Sequence, residues 1–377
     1  MSLPAEYLAE FSEPAGYLEF ASIGPLSRHV QTEIADAYAA VAEPTGTVAP
    51  PMVERWMTAR DAMGRLLGVP ADRCTGTHNT SVGLFQTAFG LLSRGGNVVV
   101  PSHEFPANLY PWLRAESVGG PTVRLVDIPD HRVTAAALAD AVDDETVGIA
   151  VSLVDFRTGF RLDVESLREL SPSALLIVDA IQGLGAVRFE MGSADVVVAG
   201  GQKWMRAGWG SGVHAVSERA QDLLEPTLTG WYGVEGFLDT AVPAPHPPRP
   251  DADQFHEGSP AIFGGYAFGA AIEVIEMAGI DLIEKTILDT SREFESALRA
   301  AGAEMVSPWR NDSERAGILS FRMPGHDQSA VASHLHDRGV IVSERAGWLR
   351  AAPHASTGRD TVPMLVDAIA EFVRSVA

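Results

Sequence analysis

Ala174-Leu175-Leu176-Ile177-Val178-Asp179-Ala180-Ile181-Gln182 is followed by Asp195-Val196-Val197-Val198-Ala199-Gly200-Gly201-Gln202-Lys203-Trp204. Each stretch opens with a short apolar run that reads as a buried strand. Asp179 stands where the first strand ends, and Gly200-Gly201 carry the second into Lys203. If the two strands are neighbours in a parallel sheet, both side chains arrive at its carboxyl edge, where open α/β sheets bind ligands.

Short apolar runs recur from about Pro70 to Ser217, among them Gly96–Val100 and Val147–Val151, and alternate with amphipathic helical stretches. That order predicts a mostly parallel α/β sheet. The Pro-rich stretch Pro243–Pro250 cannot continue a helix or a central strand and predicts an extended surface loop. Beyond it, Gly264–Met277 reads as a helix, and Ile318–Arg322 and Val340–Val342 read as strands of a smaller α+β domain. The last helix places Val362, Leu365, Val366, Ile369, Phe372, Val373 and Val376 on one apolar face.

A lysine paired with an acid is what pyridoxal 5'-phosphate requires. The amine forms a Schiff base with its aldehyde, and the acid keeps its ring nitrogen protonated so that the ring accepts electrons. Taken singly, Asp179 reads as a helix cap and Lys203 as a solvated lysine. Together they point to the cofactor. Its phosphate needs free backbone N–H groups, which a helix N-terminus supplies at Thr77-His78-Asn79-Thr80-Ser81. Capping alone would also account for those residues.

The 377 residues suffice for two compact units, and 46% apolar content fits an ordinary globular enzyme. A net charge of -21 excludes nucleic acid and anionic membrane as partners, since no basic stripe balances the acids. Cys74 is the only cysteine, which rules out an internal disulfide or a multi-cysteine metal site and suits a reducing, cytoplasmic setting. Its expected place is the core. No stretch reads as a signal peptide or as an apolar span long enough to cross a bilayer. No metal site is expected: His334 and His336, two apart on a helix, point to different faces. Gly208–Gly212 is glycine-rich but does not open a dinucleotide-binding strand-to-helix turn.

Tyr17-Leu18-Glu19-Phe20-Ala21-Ser22, the Asp179/Gln182 spacing, Gln202-Lys203, Glu257-Gly258-Ser259-Pro260 and Leu349-Arg350 together resemble the class V aminotransferase superfamily. This group of fold-type I pyridoxal phosphate enzymes includes cysteine desulfurases, kynureninases, isopenicillin N epimerases and alanine–glyoxylate aminotransferases. The resemblance implies a large cofactor-binding domain over residues 17–255 and a small domain over 1–16 and 256–377. By the same likeness Thr80, with Asn79 and Ser81, holds the phosphate, and Phe105 stacks on the ring. Gln182 reaches the phenolic oxygen, Gln202 serves the phosphate, and Ser259 reaches the phosphate of a neighbouring subunit in a homodimer. Arg350 grips the substrate α-carboxylate. Arg345 and Arg157 are weaker candidates for a second anionic group, with ordinary ion pairing expected of each, and Trp231 with Tyr232 would line the entrance.

With Lys203 as general base, an L-amino acid substrate has several fates. Phe105-Pro106 and Asp155–Gly159 resemble kynureninases and favour a lyase acting on a Cβ–S or Cβ–C bond. Gln202 before Lys203 resembles aminotransferases, so transamination is the alternative, followed by epimerisation and by a non-catalytic cofactor-binding protein. No cysteine lies between Ser343 and Trp348, and on that ground cysteine desulfuration is expected to be excluded.

Overall fold

The computed structural model describes residues 2–376 apart from positions 45, 48, 240, 242 and 244. Ala244 of the Pro-rich stretch and the side chain of Val376 therefore lie outside the described residues. Seven strands form the main sheet: β1 (Cys74–Gly76), β2 (Asn97–Pro101), β3 (Thr122–Val126), β4 (Thr146–Ser152), β5 (Leu175–Asp179), β6 (Val196–Gly200) and β7 (Gly212–Val216). Their order is β1-β7-β6-β5-β4-β2-β3. Strands β2 to β6 run parallel to one another, and β7 is antiparallel to both β6 and β1.

The central strands are buried along their whole length, so they lack the polar alternation of a half-exposed strand. Their side chains divide between two cores. Leu176, Val178, Val197 and Ala199 pack with Met63, Ala267 and Phe268 from the helices Ala49–Leu67 and Ile262–Ala278. Leu175, Ile177, Val196 and Val198 face the helices Thr80–Phe89 and Tyr110–Ser117 through Leu84, Ala88 and Trp112. Each such aliphatic side chain contributes about 1.5–3 kcal/mol by leaving water. Cys74 is buried in β1, where desolvation pushes its thiol up to about 12.

The smaller sheet is antiparallel, in the order β10-β11-β9-β8, from β8 (Glu304–Met305), β9 (Leu319–Arg322), β10 (Ser343–Arg345) and β11 (Trp348–Ala351). Phe321 and Leu349 of this sheet pack with Phe294, Leu365 and Ile369 from the helices Ile280–Ala300 and Thr361–Val376. Three features differ from the sequence-based expectation. Val340–Val342 forms one bridge, Ile341 with Tyr17, and the strand begins at Ser343. Tyr17 and Glu19 pair with Ile341 and Ala352, so the segment that opens the expected large domain adheres to the small one. The helix Ile262–Ala278 is buried in the main core, so packing associates it with the large unit rather than with residues 256–377. Among the described residues no helix is long and apolar enough to cross a membrane.

Candidate active site

Because β5 and β6 are adjacent and parallel, Asp179 at the end of β5 and Lys203 just beyond β6 meet at the carboxyl edge. Both line a cavity of about 310 Å³. Asn79, Thr80, Ser81, Phe105, Gln182, Gln202, Arg345 and Arg350 line it as well.

Lys203 is 9% exposed and Asp179 2%. Burial pulls the Lys203 ammonium down to about 8. The negative charge of Asp179 opposes that shift, and the guanidinium charges of Arg350 and Arg345 add to it. Burial likewise pushes the Asp179 carboxyl up to about 6, against the Ile181 N–H that donates to its Oδ1 at 3.0 Å and the charge of Lys203. Lys203 and Lys285 are the only lysines in the sequence.

At the other end of the cavity, the Asn79 side chain caps the helix Thr80–Phe89 by accepting from the Val82 N–H at 3.0 Å. Buried Thr80 accepts the Gly200 N–H on its Oγ1 at 2.9 Å, tying the helix start to β6. A Cβ on Gly200 would meet Gln202 Oε1 at 2.5 Å, so a side chain there would displace the glutamine. The backbone N–H groups of Thr80 and Ser81 find no protein partner among the described residues, which leaves a polar cradle at the positive end of the helix.

The Phe105 ring lies with its centroid 5.3 Å from Lys203 Nζ and meets Phe156 edge-on at 5.1 Å. It is 41% exposed, an apolar face open to the cavity rather than core. The Gln182 amide donates to the Ala21 carbonyl and accepts from Trp204 Nε1, both at 2.9 Å. One amide hydrogen remains. Arg350 is 3% exposed and donates to Ser343 Oγ at 3.2 Å, the Phe156 carbonyl at 2.7 Å and Ser22 Oγ at 2.7 Å. Burial pulls its guanidinium down to about 10, and the charge of Arg345 adds to that.

Arg157, Trp231 and Tyr232 do not line this cavity, nor does Ser259, which was expected at the phosphate of a neighbouring subunit. Trp231 packs against Tyr232 and Phe237 on a separate turn and is half-exposed. Ser259 is exposed and outside the cavity of its own chain. Ser22 and Phe156 line the cavity without having been assigned a role, although each lies in a segment whose likeness drew notice. Buried Glu104 was also missed. It accepts the Ser152 N–H at 2.7 Å beside the cavity edge, and burial pushes its carboxyl up to about 8.

These residues fit pyridoxal phosphate. The unpartnered N–H groups suit its phosphate, the buried acid its ring nitrogen, the exposed ring face its pyridine, and the buried, partly neutral amine its aldehyde. The family model Aminotransferase class-V matches residues 25–357. A protein named "Probable cysteine desulfurase" from Pyrococcus abyssi is 26% identical over 346 residues, covering 86% of this chain and 84% of that one. Kynureninase of Pseudomonas fluorescens is 28% identical over 369 residues, covering 88% and 83%. The structure of apo cysteine desulfurase from Thermococcus onnurineus superposes with a TM-score of 0.89 at 21% identity, covering 100% and 99%. These findings correct the expectation that cysteine desulfuration is excluded. That exclusion rested on one missing side chain in a short loop, whereas proteins bearing the name share the framework along nearly the whole chain.

Proposed function

The chain belongs to the class-V aminotransferase family, and from that premise we propose that it is a lyase breaking a Cβ–S or Cβ–C bond of an L-amino acid. The observation that carries this reading is the buried Lys203 facing Asp179, each moved toward neutrality by burial. The names of two relatives, kynureninase and cysteine desulfurase, support bond cleavage at Cβ over simple transamination.

Bound pyridoxal phosphate supplies an aldehyde that captures amines and a ring that withdraws electrons from the substrate α-carbon. With its ordinary value lowered to about 8, Lys203 is partly neutral at physiological pH and can take the α-proton. Asp179 is ionised above about pH 6 and can hold a proton on the ring nitrogen. Arg350 orients the substrate through its α-carboxylate, a task for a planar fork already fixed by three hydrogen bonds. Phe105 and Phe156 give the cavity an apolar wall.

A second copy completing the phosphate grip through Ser259 belongs to the same reading, since that residue is exposed and does not line its own cavity. So does a cytoplasmic setting for an acidic chain whose one cysteine is buried.

The test is incubation of the loaded enzyme with single L-amino acids and no keto acid, assaying alanine, pyruvate and ammonia together. Continuous formation of alanine, or of pyruvate with ammonia, identifies the lyase. One equivalent of keto acid followed by arrest, relieved by added pyruvate, identifies a transaminase and overturns the proposal.

A further inference from the structure

Three cations, Lys203, Arg345 and Arg350, line the cavity with a single carboxylate, that of Asp179. The two guanidiniums lack acidic partners among the described residues. Arg350 donates only to Ser343, Phe156 and Ser22, and Arg345 only to the carbonyl of its neighbour Glu344, at 3.2 Å. Ordinary ion pairing is thus not what Arg345 does. What sets these two apart from other arginines without a carboxylate is that both line the cavity. Elsewhere in the small domain Arg322 pairs with Glu304 and Arg338 with Glu371.

The nearby acids are committed to other donors. Glu19 accepts from Ser22 Oγ at 2.9 Å, and Asp155 accepts from the N–H groups of Arg157 and Thr158. Glu344 accepts from the Gly347 N–H at 2.6 Å. Strand geometry sets the two arginines together. Ser343 pairs with Arg350 and Arg345 with Trp348, so Arg345 and Arg350 share one face of the β10–β11 hairpin, with the Glu344–Leu349 pair between them. Each depresses the proton affinity of Lys203, and Arg345 that of Arg350, where the charges of Glu19 and Asp155 act in the opposite sense without forming an ion pair among the described residues.

We propose that the cavity takes an L-amino acid whose side chain ends in an anionic group, a carboxylate, sulfinate or sulfonate, which Arg345 binds while Arg350 holds the α-carboxylate. This rests on the assignment of Arg350 above. The phosphate cradle is assigned above to the start of the helix Thr80–Phe89, a different element from the β10–β11 hairpin that carries these charges. Arg345 is exposed at the hairpin end and can reach toward a side chain of variable length.

The test is calorimetric titration of the loaded enzyme with succinate and with butyrate, which have equal carbon counts and no amine to react. Succinate is expected to bind at least about tenfold tighter, with a preference that shrinks as salt rises. Arg345→Gln should abolish the preference while leaving butyrate affinity within about twofold, and Arg345→Lys should keep part of it. Equal affinity for the two acids, or a preference that survives Arg345→Gln, overturns the proposal and leaves the assignment of Arg350 standing. If neither acid binds, the carboxylate role of Arg350 falls, and this inference with it.

Discussion

Arg206 and Glu13 form an ion pair at 2.6 Å with both side chains almost wholly buried. Arg206 lies three residues after Lys203, and its N–H donates to the Lys203 carbonyl at 3.0 Å. Its φ of 58° is in the left-handed region, which a non-glycine residue holds only when its surroundings insist. Here they do. The guanidinium also donates to the Pro25 carbonyl and to Ser356 Oγ, and it sits 3.8 Å from the centre of the Phe11 ring. The loop carrying Lys203 is thereby fastened to both the N-terminal segment and the C-terminal domain.

Glu13→Gln should therefore destabilise the fold by about 3–5 kcal/mol, because it strands a buried guanidinium. Denaturant unfolding measures this. Burial pushes the Glu13 carboxyl up, but the hydrogen bonds and charge of Arg206 outweigh it and hold the group below its usual value. A depressed carboxylate contributes stability above its unfolded pKa and loses it as pH falls through the folded one. The wild type should thus lose more stability on acidification than the variant, and parallel curves would refute the pairing.

Lys203 in the apoprotein should react with an amine-selective reagent with a midpoint near pH 8. Asp179→Asn should move that midpoint lower, since the negative charge of Asp179 raises it. Peptide mass spectrometry resolves this cleanly, with exposed Lys285 as the only other labelled lysine. Lys203→Ala should lower turnover by about a hundredfold to ten-thousandfold with the circular dichroism spectrum unchanged.

Thr80→Val leaves the buried Gly200 N–H without its acceptor and should cost about 1–3 kcal/mol, read as a lower melting temperature. Thr80→Ser keeps the oxygen and should recover most of the loss. Cofactor lost on dialysis, followed by its absorbance, should rise in the valine variant.

Arg350→Lys replaces a three-way fork by a point charge and should raise KM at least about tenfold while changing kcat less. Steady-state kinetics on whichever amino acid proves to be the substrate will show it. An unchanged KM would remove Arg350 from substrate binding.

The meeting of Asp179 and Lys203 at one sheet edge was legible because each follows a short, uninterrupted apolar run. Parallel pairing of such runs leaves little choice about which edge they share. Thr80 was legible from helix-start chemistry. Trp231 was not, because its turn lies far from the strand ends that sequence order locates. The Arg206–Glu13 pair was invisible for a related reason: it joins positions 193 residues apart through a backbone angle that no residue type announces. The same limit misplaced the helix Ile262–Ala278, whose partners come from far earlier in the chain.

The β10–β11 hairpin carries one arginine fastened to the rest of the protein and one that is not. Arg350, at its base, bonds to Phe156 of the large unit and to Ser22 of the N-terminal segment. A change there would loosen the architecture along with the grip. Arg345, near the tip, bonds only to a neighbouring carbonyl among the described residues. If the two arginines divide the substrate as proposed, mutational drift at this hairpin can reshape which side chains are accepted while the α-carboxylate anchor stays fixed, and new substrate preferences should arise at the tip first.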